Sequence, residues 1–198
     1  NGPAFALRED QVPEGVGREP KRFNCGFKGA KGSVYEGGIR VPMILRWPDG
    51  LEGRRTIDEL VHFTDWMPTL LSMTGAMRPG GLPLDGHDVL PLLHGEIPEE
   101  CPRRFWQWNG NLPVGTANAA MREGPWKLVR PQLKIEFATE AGKRAAARYI
   151  ELDIEYKYHP ENVTELLPKS DFDRIIPDPP APELYNIESD PSETQNLA

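Results

Sequence analysis

Residues 31–48 read KGSVYEGGIRVPMILRWP, and the order of residue types in this stretch predicts both a turn and a strand. A lysine opens it and a pair of glycines follows. The segment Ile39–Trp47 then alternates, with apolar side chains at every odd position. This period of two predicts a β-strand that begins after the glycines. Pro42 cannot donate a hydrogen bond to a neighbouring strand, so it predicts a place near the strand's start or at a sheet edge.

Lys31 is the residue of this stretch that a purely structural turn does not require. Glycines at positions 29, 32, 37 and 38 allow the backbone to approach a ligand closely. An ammonium group on a flexible stem suits a tetrahedral oxyanion as a point charge. On spacing alone, a solvated loop lysine remains the more frequent use of such a residue, so both interpretations stay open.

Bulk properties narrow the possible functions. The chain has 198 residues, 38% of them hydrophobic, with a formal net charge of -7. This length allows one sizeable core or two small ones. The acidic balance argues against a nucleic-acid binder and implies that an anionic substrate would be held by local cations. The sequence contains no apolar run of about 18 residues, so no membrane-spanning helix is predicted.

Cysteines and histidines offer little chemistry by their spacing. Cys25 and Cys101 are too few for a disulfide framework, and the sequence leaves open whether they pair. The histidines show no metal-ligand spacing to one another or to cysteine. They are His62, His87, His94 and His159.

A helix and a second strand are predicted after the first strand. Thr64 or Asp65 would cap a helix that carries Pro68 in its first turn and ends at Gly75. Residues 57–63 form a weaker strand candidate.

The second half begins near residues 95–104, where we place a domain boundary. Residues 105–108, 117–122 and 126–130 predict three short strands of an antiparallel meander, with a turn at 123–125. Residues 150–158 alternate as a strand would, although the preceding alanines favour one continuous helix as the alternative. Residues 177–182 (PDPPAP) predict an extended linker, and residues 183–187 a last strand.

The segment NGP at residues 1–3, followed by residues 31–48, resembles the type I sulfatases of the alkaline phosphatase superfamily. In that family an Asp-Asn-Gly motif precedes a Lys-Gly-x-x-x-Glu-Gly-Gly-x-Arg-x-Pro stretch that ends in Trp-Pro. Further similar segments follow in the family's order: Asp65 with Pro68–Leu70 and Gly75, Leu84–Gly86, Pro91–Leu93, Trp126–Val129, Glu183–Asn186 and Asp190–Leu197. Residues 132–182 match no part of the family pattern.

The resemblance implies an α/β fold in two parts. Residues 1–100 would be the closing part of an alkaline-phosphatase-like α/β sandwich, which forms the C-terminal part of the catalytic domain. Residues 101–198 would form a small α+β C-terminal domain with an antiparallel sheet and an insertion at about 132–182. Because the first part would lack its neighbouring strands, the chain alone is expected to expose apolar edges and to be marginally stable.

The function that the resemblance implies is hydrolysis of a small-molecule or carbohydrate sulfate ester. The family's nucleophile is a formylglycine made from a Cys/Ser-x-Pro-x-Arg motif, which does not occur in these residues, so the chain alone is expected to be inactive. Its divalent metal, expected to be calcium, is held by several Asp carboxylates and an Asn. Many members are exported, which favours a periplasmic or secreted location.

Carried over residue by residue, the resemblance makes Asn1 the last metal ligand, and an Asn carbonyl oxygen suits calcium or magnesium. Lys31 becomes the contact to the sulfate group. Glu36 and Arg40 are expected to support the site rather than to react. No residue is predicted to bind a further cofactor.

Two other functions compete with sulfate-ester hydrolysis. One is hydrolysis of phosphate or phosphonate esters by a member of the same superfamily. The other is a non-catalytic carbohydrate-binding or interaction module in which Trp106, Trp108 and Trp126 stack on sugars. Tryptophans at strand positions are more often part of a core.

Overall fold

The computed structural model describes residues 2–3, 23–78, 80, 83–99, 102–108, 114–165 and 173–198. Its helices and strands, in chain order, are α1 (Glu36–Ile39), α2 (Trp66–Thr74), α3 (Leu90–His94), β1 (Arg104–Gln107), β2 (Ala119–Glu123), β3 (Trp126–Arg130), β4 (Glu136–Phe137), α4 (Glu140–Tyr158), β5 (Arg174–Ile175) and β6 (Glu183–Asn186). Short 3₁₀ turns lie at Phe63–Asp65 and Pro160–Asn162.

A four-stranded antiparallel sheet of order β1-β2-β3-β6 organises the second half of the chain. The predicted meander and the last strand are therefore confirmed, with bounds that differ by one or two residues. Strands β2 and β3 pair from Glu123 opposite Trp126, which leaves Gly124 and Pro125 as a two-residue loop. Gly124 has φ of 55°, a left-handed conformation that glycine adopts without strain.

One face of this sheet carries the buried core. Along β3, Lys127 and Val129 point inward, and the three residues that alternate with them are exposed. Val129 packs in one cluster with Ala120, Tyr185 and Val34. Since Val34 comes from the loop that precedes α1, this loop forms the layer that covers the sheet.

The opposite face is apolar along one row. The register places Phe105 opposite Met121, Met121 opposite Leu128, and Leu128 opposite Leu184. Phe105 is 64% exposed and Leu128 36% exposed. Within the described part of the chain, this row therefore faces outward.

The strand predicted at Ile39–Trp47 is wrong. The glycines that precede it lie in the helical turn α1, where Gly38 N donates to Tyr35 O and Arg40 N donates to Glu36 O. Residues 40–47 then run without regular structure. A strand needs a neighbour to complete its hydrogen bonds, and among the described residues none pairs with this segment.

The weaker strand predicted at 57–63 is also wrong. A 3₁₀ turn occupies Phe63–Asp65, and His62 caps it. Asp65 accepts a hydrogen bond from His62 N at 2.7 Å, which completes a reciprocal capping box. The local turn therefore satisfies backbone groups that a strand would have directed to a partner.

The predicted helix after this turn is confirmed as α2. It ends at Gly75, whose φ of 66° is left-handed, and Pro68 lies in its first turn. Asp65 lies at the helix start but directs its carboxylate away from it. Arg104 Nη2 lies 2.9 Å from both carboxylate oxygens of Asp65, and both side chains are almost fully buried.

Residues 150–158 belong to helix α4, so the predicted strand is wrong there and the alternative of one continuous helix is confirmed. Thr139 caps the helix by accepting a hydrogen bond from Gly142 N at 3.0 Å. The pair Glu140–Lys143 adds an ionic contact one turn apart in the first turns. Helix α4 contacts β4 and the turn at Pro160–Asn162. None of the described helices is long and apolar enough to cross a membrane.

The buried Asp65–Arg104 contact should contribute strongly to stability. Arg104→Met leaves the Asp65 carboxylate buried without its cation, so we expect a loss of about 3–5 kcal/mol in the free energy of unfolding. The neighbouring Arg103 makes only an exposed pair with Glu123. Arg103→Met is the matched control and should cost about 0–1 kcal/mol. Urea unfolding of both variants measures the difference, and equal losses would contradict this assignment.

Candidate functional site

Residues 28–38, here called the lysine loop, carry the candidate Lys31. Gly29 and Gly32 have φ of 80° and 91°, which turn the chain in a way that other residues rarely allow. Ser33 Oγ donates to Ala30 O at 2.9 Å and accepts from Ala30 N at 3.2 Å. Lys31 lies inside this hydrogen-bonded turn with its side chain exposed.

The segment Gly2–Pro3 lies directly against the lysine loop. Gly2 N donates to Gly38 O at 2.8 Å, and Lys31 N donates to Pro3 O at 3.0 Å. Gly2 and Pro3, which follow Asn1 in the sequence, therefore lie beside the loop that carries Lys31. Asn1 itself lies outside the described residues, so its role as a metal ligand stays a prediction.

Gly37 and Gly38 allow the end of the lysine loop to pack against its beginning. A Cβ on Gly37 would lie 2.4 Å from Gly29 O, and one on Gly38 would lie 2.1 Å from Ser33 O. Gly37 N also donates to Lys28 O at 2.7 Å. The sequence predicted backbone freedom near a ligand, whereas these glycines allow close contact between two parts of the same loop.

A first network fastens the lysine loop to strand β6 through Glu183. One carboxylate oxygen of Glu183 accepts from Lys28 Nζ at 3.2 Å, from Tyr35 OH at 2.8 Å and from Tyr185 OH at 2.6 Å. The Lys28 ammonium also lies 4.2 Å from the centre of the Tyr35 ring, within reach of a cation–π contact. Two residues of the loop are therefore bound to two residues of β6.

The contacts in this network shift the pKa values of Glu183, Tyr35 and Tyr185. Burial alone would raise the pKa of Glu183, but hydrogen bonds from Tyr185, Tyr35 and Lys28 outweigh it and lower that pKa below 4.5. Burial and the bond to Glu183 raise the pKa of both phenols well above their usual 10.0. The network is thus most stable with an ionised carboxylate and two neutral phenols.

A second network, here called the carboxylate triad, consists of Glu36, Lys127 and Glu193. Lys127 Nζ lies 2.8 Å from Glu36 Oε1 and 2.9 Å from Glu193 Oε1. Glu193 Oε2 also accepts a hydrogen bond from Glu36 N at 2.6 Å. The exposed fractions of Glu36, Lys127 and Glu193 are 2%, 0% and 2%.

Charge in the triad is balanced from one side by Arg40, whose Nη1 lies 3.8 Å from Glu36 Oε2. Burial raises the pKa of Glu193, and the nearby Lys127 ammonium opposes that rise without cancelling it. Two carboxylates and two cations therefore meet where the lysine loop reaches the sheet.

A third contact supports the loop beside Lys31. Asn118 Nδ2 donates to Gly32 O at 2.8 Å. The indole ring of Trp108 lies 3.6 Å from the point where a Cβ on Gly32 would sit. Sequence reasoning did not identify Asn118, Lys127, Glu183 or Glu193 as site residues. The last three do lie in the family-like segments, but a motif does not name the partner of each residue.

Lys31 differs from these supporting residues because none of the described residues forms a hydrogen bond or ion pair with its ammonium group. Its backbone is held while its side chain extends into solvent. Such a group is available to an anionic ligand. The described residues contain no group of three His, Cys, Asp or Glu side chains that would hold a metal.

The other candidate residues lie in different structural settings. His62 is buried and bound to Thr64 at 2.8 Å, and burial lowers its pKa below 6.5. Cys25 is an exposed free thiol, and Cys101 lies outside the described residues. Trp106 packs against the core, whereas Trp126 lies on the opposite face of the sheet and is 48% exposed.

Residues 28–139 match the family model described as N-sulphoglucosamine sulphohydrolase, C-terminal. The chain is 43% identical over 70 residues to steryl-sulfatase of Mus musculus, which covers 35% of this chain and 11% of that protein. It is 43% identical over 74 residues to arylsulfatase D of Homo sapiens, covering 37% and 12%. It is 28% identical over 173 residues to the ulvan-active sulfatase of Formosa agariphila, covering 85% and 30%.

One solved structure has a similar fold. Its title describes the metabolism of multiple glycosaminoglycans by Bacteroides thetaiotaomicron, and it superposes with a TM-score of 0.53 at 21% identity over 87% of this chain and 28% of that one. This likeness supports the mixed helical and antiparallel fold. The matches confirm the resemblance to the sulfatases, and the chain spans 11–30% of the length of the three curated relatives named above.

The lysine loop is packed too tightly at Gly38 to accept a side chain there. Gly38→Ala places a Cβ against the Ser33 carbonyl, so we expect a loss of about 1–3 kcal/mol from overpacking. Gly53→Ala is the control, because nothing lies within 4 Å of the added atom. It should change stability by less than about 0.5 kcal/mol. Urea midpoints test this, and an unchanged midpoint for Gly38→Ala would rule out the tight closure.

The Glu183 network should lose stability at both ends of the pH range. Because the pKa of Glu183 is lowered in the folded protein, its contribution is present above pH 4.5 and is lost as the pH falls through the folded value. Because the pKa of Tyr35 and Tyr185 is raised above 10.0, their contribution is lost as the pH rises beyond that value. The measurement is the free energy of unfolding against pH.

Glu183→Gln is the variant that isolates the acid limb. It removes the titrating carboxylate but keeps an oxygen that accepts from both phenols. The difference in stability between the wild type and this variant should shrink as the pH falls below 4.5. Curves that remain parallel over that range would show that Glu183 is not responsible.

Proposed function

The chain belongs to the N-sulphoglucosamine sulphohydrolase C-terminal family, since more than half of it matches that model, and we propose that it is the C-terminal portion of a sulfatase that hydrolyses sulfate esters. The observation that carries the proposal is that the matched residues, 28–139, begin with the lysine loop. The activity belongs to the whole protein, of which this chain supplies the loop and the sheet that holds it.

Lys31 is proposed to contact the sulfuryl oxygens of the substrate. Its backbone is held by Pro3 and its ammonium group is exposed, so the cation can reach an anion bound beside the loop. A cation that contacts the reacting group stabilises negative charge that develops on oxygen in the transition state. The same reasoning explains why the loop is bound to the sheet by three separate contacts.

Asn1 is proposed to supply one ligand to a divalent metal, calcium by preference, since its amide oxygen is a hard donor. The contacts of Gly2 and Pro3 with the lysine loop support this, because they bring that end of the chain beside Lys31. The remaining ligands would come from carboxylates outside the described residues. When bound, the metal would polarise the ester group, and a formylglycine formed outside this chain would supply the nucleophile.

A carbohydrate sulfate ester is the substrate class that we favour. Two of the matches named above span most of this chain, and their names refer to ulvan and to glycosaminoglycan metabolism. The steryl-sulfatase match covers only 35% of the chain. Export to the periplasm or out of the cell accompanies this proposal, since an enzyme for polymeric sugars would meet its substrate there.

Residues 1–100 are proposed to complete an alkaline-phosphatase-like α/β sandwich. Support comes from the segment predicted as a strand, where Val41, Met43 and Ile44 are 47%, 57% and 89% exposed. Exposed apolar side chains in a segment without regular structure are expected where another part of the protein covers them.

Lys31→Met in the full-length protein tests the proposed role. We expect kcat/KM for a sulfate ester to fall by about 10²–10³, because one preorganised donor is lost from the transition state. Stability should not change, since the replaced side chain is exposed. Lys134→Met is the control, as the Lys134 side chain is 90% exposed and its ion pair among the described residues is with Glu136.

Full turnover by Lys31→Met would exclude the sulfate contact. The phosphate alternative is separated by assaying sulfate and phosphate esters of the same phenol with the wild-type protein. A higher kcat/KM for the phosphate ester would replace the sulfatase assignment with that of a phosphohydrolase.

A further inference from the structure

The carboxylate triad is buried, charged and takes no part in the proposed chemistry. We infer that Lys127 and Glu193 are positioning residues, which set the conformation of the lysine loop and so place Lys31 against the substrate. This inference rests on the proposed function only for its link to turnover. Its structural part, control of the loop by the triad, holds or fails independently.

The triad acts on the loop through short backbone connections. Glu36 is held by the Lys127 ammonium at its side chain and by Glu193 at its backbone N–H. The next residue, Gly37, donates to Lys28 O at the start of the loop. Gly38 then accepts from Gly2 N. A shift of Glu36 would therefore move both the closure of the loop and the segment beside Asn1.

The chemistry of the triad favours a positioning role over a role in stability alone. A buried ion pair is often no more stabilising than apolar residues of the same volume, because desolvation offsets the attraction. An apolar core already surrounds this point, with Val34 and Val129 in the same layer. What apolar packing does not supply is direction. Two hydrogen bonds, at 2.6 and 2.8 Å, and one ion pair at 2.9 Å converge on Glu36 and Lys127.

Glu193 is itself held in an uncommon conformation. Its φ of 55° is left-handed, which non-glycine residues adopt with strain. The turn around it is fixed by Asp190, whose carboxylate accepts from Thr194 N at 2.8 Å and from Gln195 N at 2.9 Å. The strained turn directs the Glu193 carboxylate under the sheet, to the backbone of Glu36.

A purely structural cluster is the competing explanation, and Arg104 provides the comparison. Its pair with Asp65 is equally buried but lies between β1 and α2. Within the described part of the chain, the hydrogen bonds of Asp65 go to Arg104, His62 and His87 rather than to the lysine loop. Lys127→Met leaves Glu193 buried without its cation, and Arg104→Met does the same to Asp65. If only stability matters, both should affect turnover equally at the same folded fraction.

The test measures two quantities in the full-length protein at a temperature where each variant is folded. The first is amide hydrogen exchange of the lysine loop. Lys127→Met and Glu193→Ala should accelerate exchange in residues 28–38 by more than tenfold, and Arg104→Met should not. Glu193→Gln keeps an acceptor for Glu36 N, so it should restore slow exchange and remains informative if Lys127→Met fails to fold.

The second quantity is the kinetics on a sulfate ester. Lys127→Met and Glu193→Ala should lower kcat at least tenfold, whereas Arg104→Met should leave it within twofold. Loop exchange that is unchanged in Glu193→Ala, or an equal loss of kcat in Arg104→Met, would overturn the inference. A wild-type protein without sulfate-ester turnover would remove the proposed function, and the exchange data would still decide whether the triad controls the loop.

Discussion

The fold of this chain depends on one buried ammonium group. Lys127 Nζ is bound to two carboxylates from segments that are far apart in the sequence, and its side chain has no exposed surface. A buried charge of this kind is tolerable only when its partners are in place. The lysine loop, strand β3 and the turn after β6 must therefore come together in one arrangement. The loop then covers the face of the sheet on which Val129 lies.

Much of the sheet and of helix α2 could be predicted because their signals are local. Gly124 specifies a tight turn and Gly75 a helix end, and neither depends on distant residues. The strand at Ile39–Trp47 failed because alternation describes two faces of a segment, while a strand also needs a neighbour. At 150–158 the same signal misled, because Ile150, Ile154 and Tyr158 are spaced by four residues, which satisfies both a strand and a helix period.

The candidate site also contains residues that the sequence could identify and residues that it could not. Lys31 was identifiable from its setting among glycines and from the family resemblance. Lys127 and Glu193 were not, since charged residues on short strands and turns are ordinarily exposed. The two are buried as an ion pair, and their common partner Glu36 lies 91 residues from Lys127 and 157 from Glu193 in the sequence. No local pattern contains that information.

The two carboxylates that hold the lysine loop from the C-terminal side differ in ionisation. Glu183 accepts from two phenols and an ammonium, which lowers its pKa, whereas burial raises that of Glu193. Acidification therefore neutralises Glu193 first, and a neutral acid is less costly to bury, so this step does not weaken the fold by itself. Protonation of Glu183 follows at lower pH and removes the charge that binds Lys28, so the two carboxylates that hold the loop change charge at different pH.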